Sequence, residues 1–235
     1  MTGTVMEANA YQVLTGEMLT FALLGKAFYV YPEQAWIRSL IAEDIFAQAP
    51  FADTQPDTVA ALALLQQWSR TTSENTFDDL CSDYTRLFIG PGKLLAPPWE
   101  SVYFSEDRLT FQEATLQVRD WYRRFGLEAE KLHREPDDHI GLEFEFVAHL
   151  ARRALLALEH NDQARYDEAI EARRQFVAEH PGRWAAGWCG QVEEHARTNF
   201  YRGMAMLARG AIAEASSLSD IRMTIGRDEW LCSGE

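Results

Sequence analysis

Apolar residues recur at intervals of three and four along most of the chain, the period that lays one face of a helix against a core. From Tyr11 to Tyr31, the residues Tyr11, Leu14, Met18, Phe21, Leu24 and Phe28 follow this spacing, predicting a packed helix that Pro32 stops. A second helix is expected over about Glu33–Gln48, with Trp36, Leu40 and Ile41 inward. Pro56 suits the first turn of a third helix carrying Val59, Leu62, Leu65 and Trp68, because proline lacks the backbone donor that a first turn leaves unused. A fourth is expected from Asn75 to Phe88, ended by Gly90-Pro91-Gly92, where glycine accepts φ > 0.

Farther on, Thr110 with Glu113 reads as a capping box for a helix through Val118, Trp121, Tyr122 and Phe125, closed by Gly126. Leu127–Pro136 is charged and irregular, after which Asp137 is the expected N-cap of a long helix with Leu142, Phe146, Leu150 and Leu156 on its stripe. Helices over Tyr166–Val177, Trp184–Ala196 and Phe200–Ala215 complete the pattern, and from Ser216 on it gives either a short helix or a tail. No stretch alternates apolar and polar residues, and no Asn-Gly or Asp-Gly turn lies between β-branched runs. The expected fold is therefore all-α, a compact multi-helix bundle. Residues 1–235 are read as one domain, with an N-terminal subdomain 1–104, a C-terminal subdomain 105–215 and a tail 216–235 as its natural subdivisions.

Composition changes this picture in one respect, the sign of the partner. The 235 residues carry 22 Lys+Arg against 36 Asp+Glu, a formal charge of −14. That charge repels nucleic-acid phosphates and favours a cationic partner, although acidity also simply keeps a protein soluble. Cys81, Cys189 and Cys232 are scattered and suit a reducing compartment. Met1–Ala10 has Glu7 and no basic residue, unlike a secretory signal, and no apolar run is long enough to span a membrane. A cytoplasmic protein without stable membrane insertion is expected.

Two stretches carry candidate chemistry. In the first, Tyr84, Leu87 and Phe88 share a helical face before Gly90-Pro91-Gly92, and Pro97-Pro98 then hold the chain extended ahead of Trp99. Proline restricts itself and the residue before it, so the indole is offered from a stiff arm. Alone, the apolar members of this stretch read as core sooner than as a ligand surface. In the second, Asp137-Asp138-His139 starts a helix, where carboxylates meet the favourable end of the dipole. Asp138 there is also suited to a bidentate arginine. His139, Glu143, Glu145 and His149 have metal-ligand spacing, but Glu143 and Glu145 are about 200° apart around a helix of 3.6 residues per turn, which divides the set. Gly90-Pro91-Gly92-Lys93 lacks the spacing of a phosphate-binding loop, and no nucleophile elbow is present. Catalysis and a bound cofactor are thus unsupported, leaving a metal-dependent hydrolase using His139 and Glu143, or a helical adaptor, as the competing readings.

Leu87-Phe88-Ile89-Gly90-Pro91, Pro97-Pro98-Trp99 with Ser101-Val102, Glu135-Pro136-Asp137-Asp138-His139 and Asn199-Phe200-Tyr201-Arg202 together resemble the TorD/DmsD family of molybdoenzyme-maturation chaperones. The resemblance implies a chaperone that binds the twin-arginine signal peptide of a molybdopterin-dependent oxidoreductase precursor until its cofactor is inserted. It implies a monomer or a domain-swapped homodimer. It also implicates Asp138 and His139 in peptide binding; Tyr84, Leu87, Phe88, Pro91, Pro98 and Trp99 suit the same ligand as an apolar wall, with Asp138 expected to meet the arginines across a cleft from Trp99.

Overall fold

A computed structural model describes residues 2–48, 55–105, 107–128 and 135–217. These form eleven α-helices: α1 (Thr2–Tyr29), α2 (Gln34–Ala42), α3 (Ile45–Gln48), α4 (Pro56–Arg70), α5 (Thr76–Tyr84), α6 (Glu100–Phe104), α7 (Glu113–Arg124), α8 (Ile140–Glu159), α9 (Gln163–Glu179), α10 (Pro181–His195) and α11 (Asn199–Ser217). A single π-helical turn, Thr85–Ile89, follows α5. There is no strand among the described residues, and the fold is all-α as expected. Chain beyond Ser217, including Cys232, lies outside the described residues, as does most of the expected irregular stretch before Pro136.

Two close helix pairs set the frame, and glycine makes both possible. Helix α1 crosses α8 where Gly25 and Gly141 face each other. A Cβ on Gly141 would lie 2.6 Å from the Tyr29 Cβ and 3.0 Å from the Gly25 carbonyl, so the two backbones are already in contact. Helix α11 lies on α4 in the same way, with Gly203 against Leu65 and Gly210 against Thr58. Between these pairs runs an aromatic core in which Phe28 meets Trp188 edge to face at 4.8 Å and Phe146 meets Phe176 at 4.6 Å. The same core includes residues from Phe21 to Ala215, so segments on both sides of residue 104 build it. A smaller cluster, with Leu14, Leu155 and Tyr166, fills the far end of α1, α8 and α9.

Several local expectations are corrected by tertiary contacts. The helix expected over Glu33–Gln48 is broken into α2 and α3 at Asp44, whose φ of 45° lies in the left-handed region that aspartate tolerates better than most residues. On α4 the inward positions are Thr58, Ala61, Leu65 and Trp68, while Val59 is exposed, because the close approach of Gly210 draws Thr58 in. Thr110 caps nothing; α7 begins after Gln112 without a side-chain cap, though Gly126 closes it at φ 73° as expected. Leu156, placed on the stripe of α8, faces solvent.

Candidate functional site

Gly90 ends the π-helical turn by returning its amide to the Thr85 carbonyl at 2.6 Å, with φ of 22°. The chain then crosses the core as a proline arm whose carbonyls are all engaged. Trp188 Nε1 donates to the Ala96 carbonyl (3.2 Å), Tyr103 Oη to the Pro97 carbonyl (3.0 Å), and the Ile140 amide to the Pro98 carbonyl (2.8 Å). Prolines 97 and 98 bring no donors of their own, so an arm buried on all sides leaves no backbone group unmatched. This holds Trp99 where the sequence places it, at the end of a rigid support.

The second motif is joined directly to the first. Trp99 and His139 form an isolated antiparallel bridge, completed by the Glu100 amide donating to the Asp138 carbonyl at 3.0 Å. Trp99 stands edge to face on the His139 ring at 6.0 Å, and Tyr29 on its other side at 5.1 Å. No cleft separates Trp99 from Asp138. They are neighbours in one closed node, which corrects the expectation that they face each other across a groove.

Each residue of Asp137-Asp138-His139 has a separate task. His139, and not Asp137, is the N-cap of α8: its Nδ1 accepts from the Gly141 amide at 3.1 Å. Asp137 takes Arg119 instead, at 2.6 and 3.0 Å, while Tyr122 Oη donates to its carbonyl. Asp138 is fully buried and accepts from the Ser101 amide and the Thr115 hydroxyl, both at 2.7 Å. Its two oxygens therefore bind α6 and α7 to the start of α8. Asp138 is not placed to receive a ligand's arginine, because no face of its carboxylate reaches the surface.

Behind this bridge lies a buried carboxylate pair. Glu143 accepts from Trp184 Nε1 at 3.2 Å, and Glu100 pairs with His180 at 2.8 Å. Burial, then the nearby Glu100 and Asp138 charges, push the Glu143 carboxyl well above the ordinary carboxylate range. A carboxyl that the fold keeps protonated stabilises fully below the ordinary carboxylate range, and the contribution is lost as pH rises toward the raised value. Glu143→Gln keeps the acceptor for Trp184 and replaces the acid proton with an amide donor. Its melting temperature should therefore fall less than the parent's between about pH 5 and 8, so that the variant is the more stable at the upper end. Parallel melting curves across that range would show that Glu143 ionises normally.

The remaining expected residues divide by exposure. Tyr84, Leu87 and Phe88 are core: Leu87 is wholly buried, Phe88 lies between Phe28 and Trp188, and Tyr84 Oη donates to the Phe28 carbonyl at 2.9 Å. As described they give no apolar wall to a groove, since the face that sequence assigns to a ligand is covered by α1, α10 and α11. Pro98 is buried in the arm, and Pro91 is exposed at the glycine turn. Trp99 is partly buried, and its Nε1 donates to Glu135 Oε1 at 2.9 Å. Tyr31 is exposed and stands edge to face on Tyr84. Sequence reasoning passed over Glu135 and Tyr31. The signal for Glu135 was present, for it opens the second motif as the one carboxylate preceding the proline. Among the described residues no three His, Cys, Asp or Glu side chains group to hold a metal, and no helix is long and apolar enough to cross a membrane.

Residues 52–190 match the family model described as nitrate reductase delta subunit. The chain is 32% identical over 200 residues to the Tat proofreading chaperone DmsD of Salmonella typhimurium, covering 83% of this chain and 87% of that one. It is 28% identical over 136 residues to the chaperone protein TorD of Vibrio cholerae, covering 58% and 60% respectively.

Proposed function

This chain belongs to the nitrate reductase delta subunit family, which includes the TorD and DmsD chaperones, and we propose that it is a redox-enzyme maturation chaperone for a molybdopterin-dependent oxidoreductase. Its ligand is the twin-arginine signal peptide of that precursor, held in the cytoplasm until the cofactor is in place. The observation that carries this reading is the Trp99–Glu135 pair: a partly buried indole on a rigid arm, with a carboxylate bonded to its edge. An aromatic face beside a carboxylate suits a guanidinium, which stacks on the ring and pairs with the acid. Asp138 and His139 serve this pair by holding the arm and the start of α8 together, as positioning residues. A net charge of −14 favours approach of a basic leader over long range.

The reading is tested by titrating a labelled synthetic peptide, two arginines followed by an apolar run, into the full chain. Binding on the order of micromolar is expected, weak enough for release to the export machinery. Trp99→Ala should weaken it about tenfold or more, through loss of the ring face. Equal binding by parent and variant, or preference for a peptide with glutamines at the two arginines, would contradict the assignment.

A further inference from the structure

Three ionisable side chains lie almost wholly inside the protein behind the Trp99–His139 bridge: Glu100 and His180 at 1% exposure and Glu143 at 0%. They come from three elements: α6, the residue ahead of α10, and the first turn of α8. What faces Glu143 offers it no cation. Its Oε2 accepts from the neutral indole of Trp184 on α10 at 3.2 Å, and no donor reaches its Oε1. From α6 it meets the charge of Glu100, from the turn before α8 that of Asp138, and from α7 the Tyr122 phenol. The basic side chains of the node are engaged elsewhere, Arg119 by Asp137 and His180 by Glu100. An ionised Glu143 would thus be a buried charge with one neutral hydrogen bond and two like-charged neighbours, whereas the acid form brings a proton of its own.

The same turn of α8 holds the proline arm. The Glu143 amide donates to the His139 carbonyl at 3.0 Å, and His139 is bridged to Trp99, whose next residue is Glu100. Across this joint the Ile140 amide donates to the Pro98 carbonyl, the Glu100 amide to the Asp138 carbonyl and the Ser101 amide to Asp138 Oδ2. We propose that Glu143 is a proton-operated latch on the support of Trp99: protonated, it lets α6, α8 and α10 close on one another, and its ionisation opens that joint. The proton passes to solvent, and the charged carboxyl takes water in place of Trp184. The open joint ionises at the ordinary carboxylate value and the closed joint only at a higher one. Between the two, each opening releases one proton, and the open fraction grows about tenfold per pH unit. Below the ordinary value the latch is fully shut, so the support of Trp99 loosens as pH rises.

The experiment is amide hydrogen exchange of the full chain, followed residue by residue from about pH 5.5 to 8. In the parent the protection factors of Glu100, Ser101 and Ile140, corrected for intrinsic exchange chemistry, should fall about tenfold per unit from the start of that range. Met204 and Leu207, fully buried in α11 outside the joint, should stay about tenfold or more better protected throughout, which makes the opening local. Glu143→Gln should hold the three joint amides constant within about twofold. Glu143→Met, neutral but without an acceptor for Trp184, should lower their protection at every pH and leave it equally flat, which separates the proton from the hydrogen bond. His180→Gln should keep the parent's slope. A slope that survives in both Glu143 variants, a slope that disappears with His180, or joint amides that exchange no faster than those of α11 would each overturn the proposal.

Discussion

Replacing Asp138 with alanine is expected to lower stability by about 4 kcal/mol, or roughly 10 °C in melting temperature for a chain of this size. Alanine would strand the Ser101 amide and the Thr115 hydroxyl, two buried donors. An unmatched buried donor costs about 1–3 kcal/mol, and the bonds lost are charge-assisted. The consequence reaches farther than two bonds, because Asp138 is the point at which α6, α7 and α8 meet. Asp138→Asn gives the discriminating comparison. Its amide oxygen still accepts from Ser101 and its nitrogen donates to the rotatable Thr115 hydroxyl, so the loss should shrink to about 1 kcal/mol. Thermal denaturation of the three proteins checks this. A stable alanine variant that nevertheless failed to bind basic peptide would mean that Asp138 is a ligand contact after all.

Glu17→Ala should be comparably damaging at the opposite end of the bundle. Glu17 on α1 forms a buried ion pair with Arg173 on α9, a side chain only 1% exposed whose other contact is the Ala215 carbonyl at 3.5 Å. Removing the acid leaves a guanidinium that can neither reach water nor lose its proton, at a cost of about 3–5 kcal/mol. Replacing both partners, Glu17→Met with Arg173→Met, should recover most of that loss, since an apolar pair of similar volume carries no desolvation penalty. Chemical denaturation of the single and double variants decides it. If the double variant is as unstable as Glu17→Ala, packing volume and not charge governs the site.

Helix positions were legible in the sequence because they depend on a local period that each segment carries within itself. Ends and burial were less so. Asp137, Asp138 and His139 all look like residues for a helix start, and no local rule divides the work among them. Arg119, Thr115 and Ser101 decide it from other elements: the first two lie about 20 residues away in sequence, while Ser101, on α6, lies still farther. Phe88 and Leu87 illustrate the same limit for hydrophobic residues, since a groove wall and a core demand the same side chains. Only the packing of Phe28 and Trp188 over Phe88 separates the two. The Asp44 break uses a residue type that tolerates the left-handed region, but many aspartates lie inside helices, so the type alone does not mark the place. What the motif positions did convey was adjacency: Trp99 and the residues around Asp138 form one structure, although its least buried acid is Glu135.

The central claim is that Glu135, beside Trp99, receives a basic group of the client's leader. A double-mutant cycle measures it most directly, with Glu135→Gln on the chain and arginine-to-glutamine changes on the peptide, both followed by titration. The account predicts a coupling of about 1 kcal/mol or more between Glu135 and one of the two arginines, weakening as salt is added. Additive losses, with no coupling to either arginine, would contradict it.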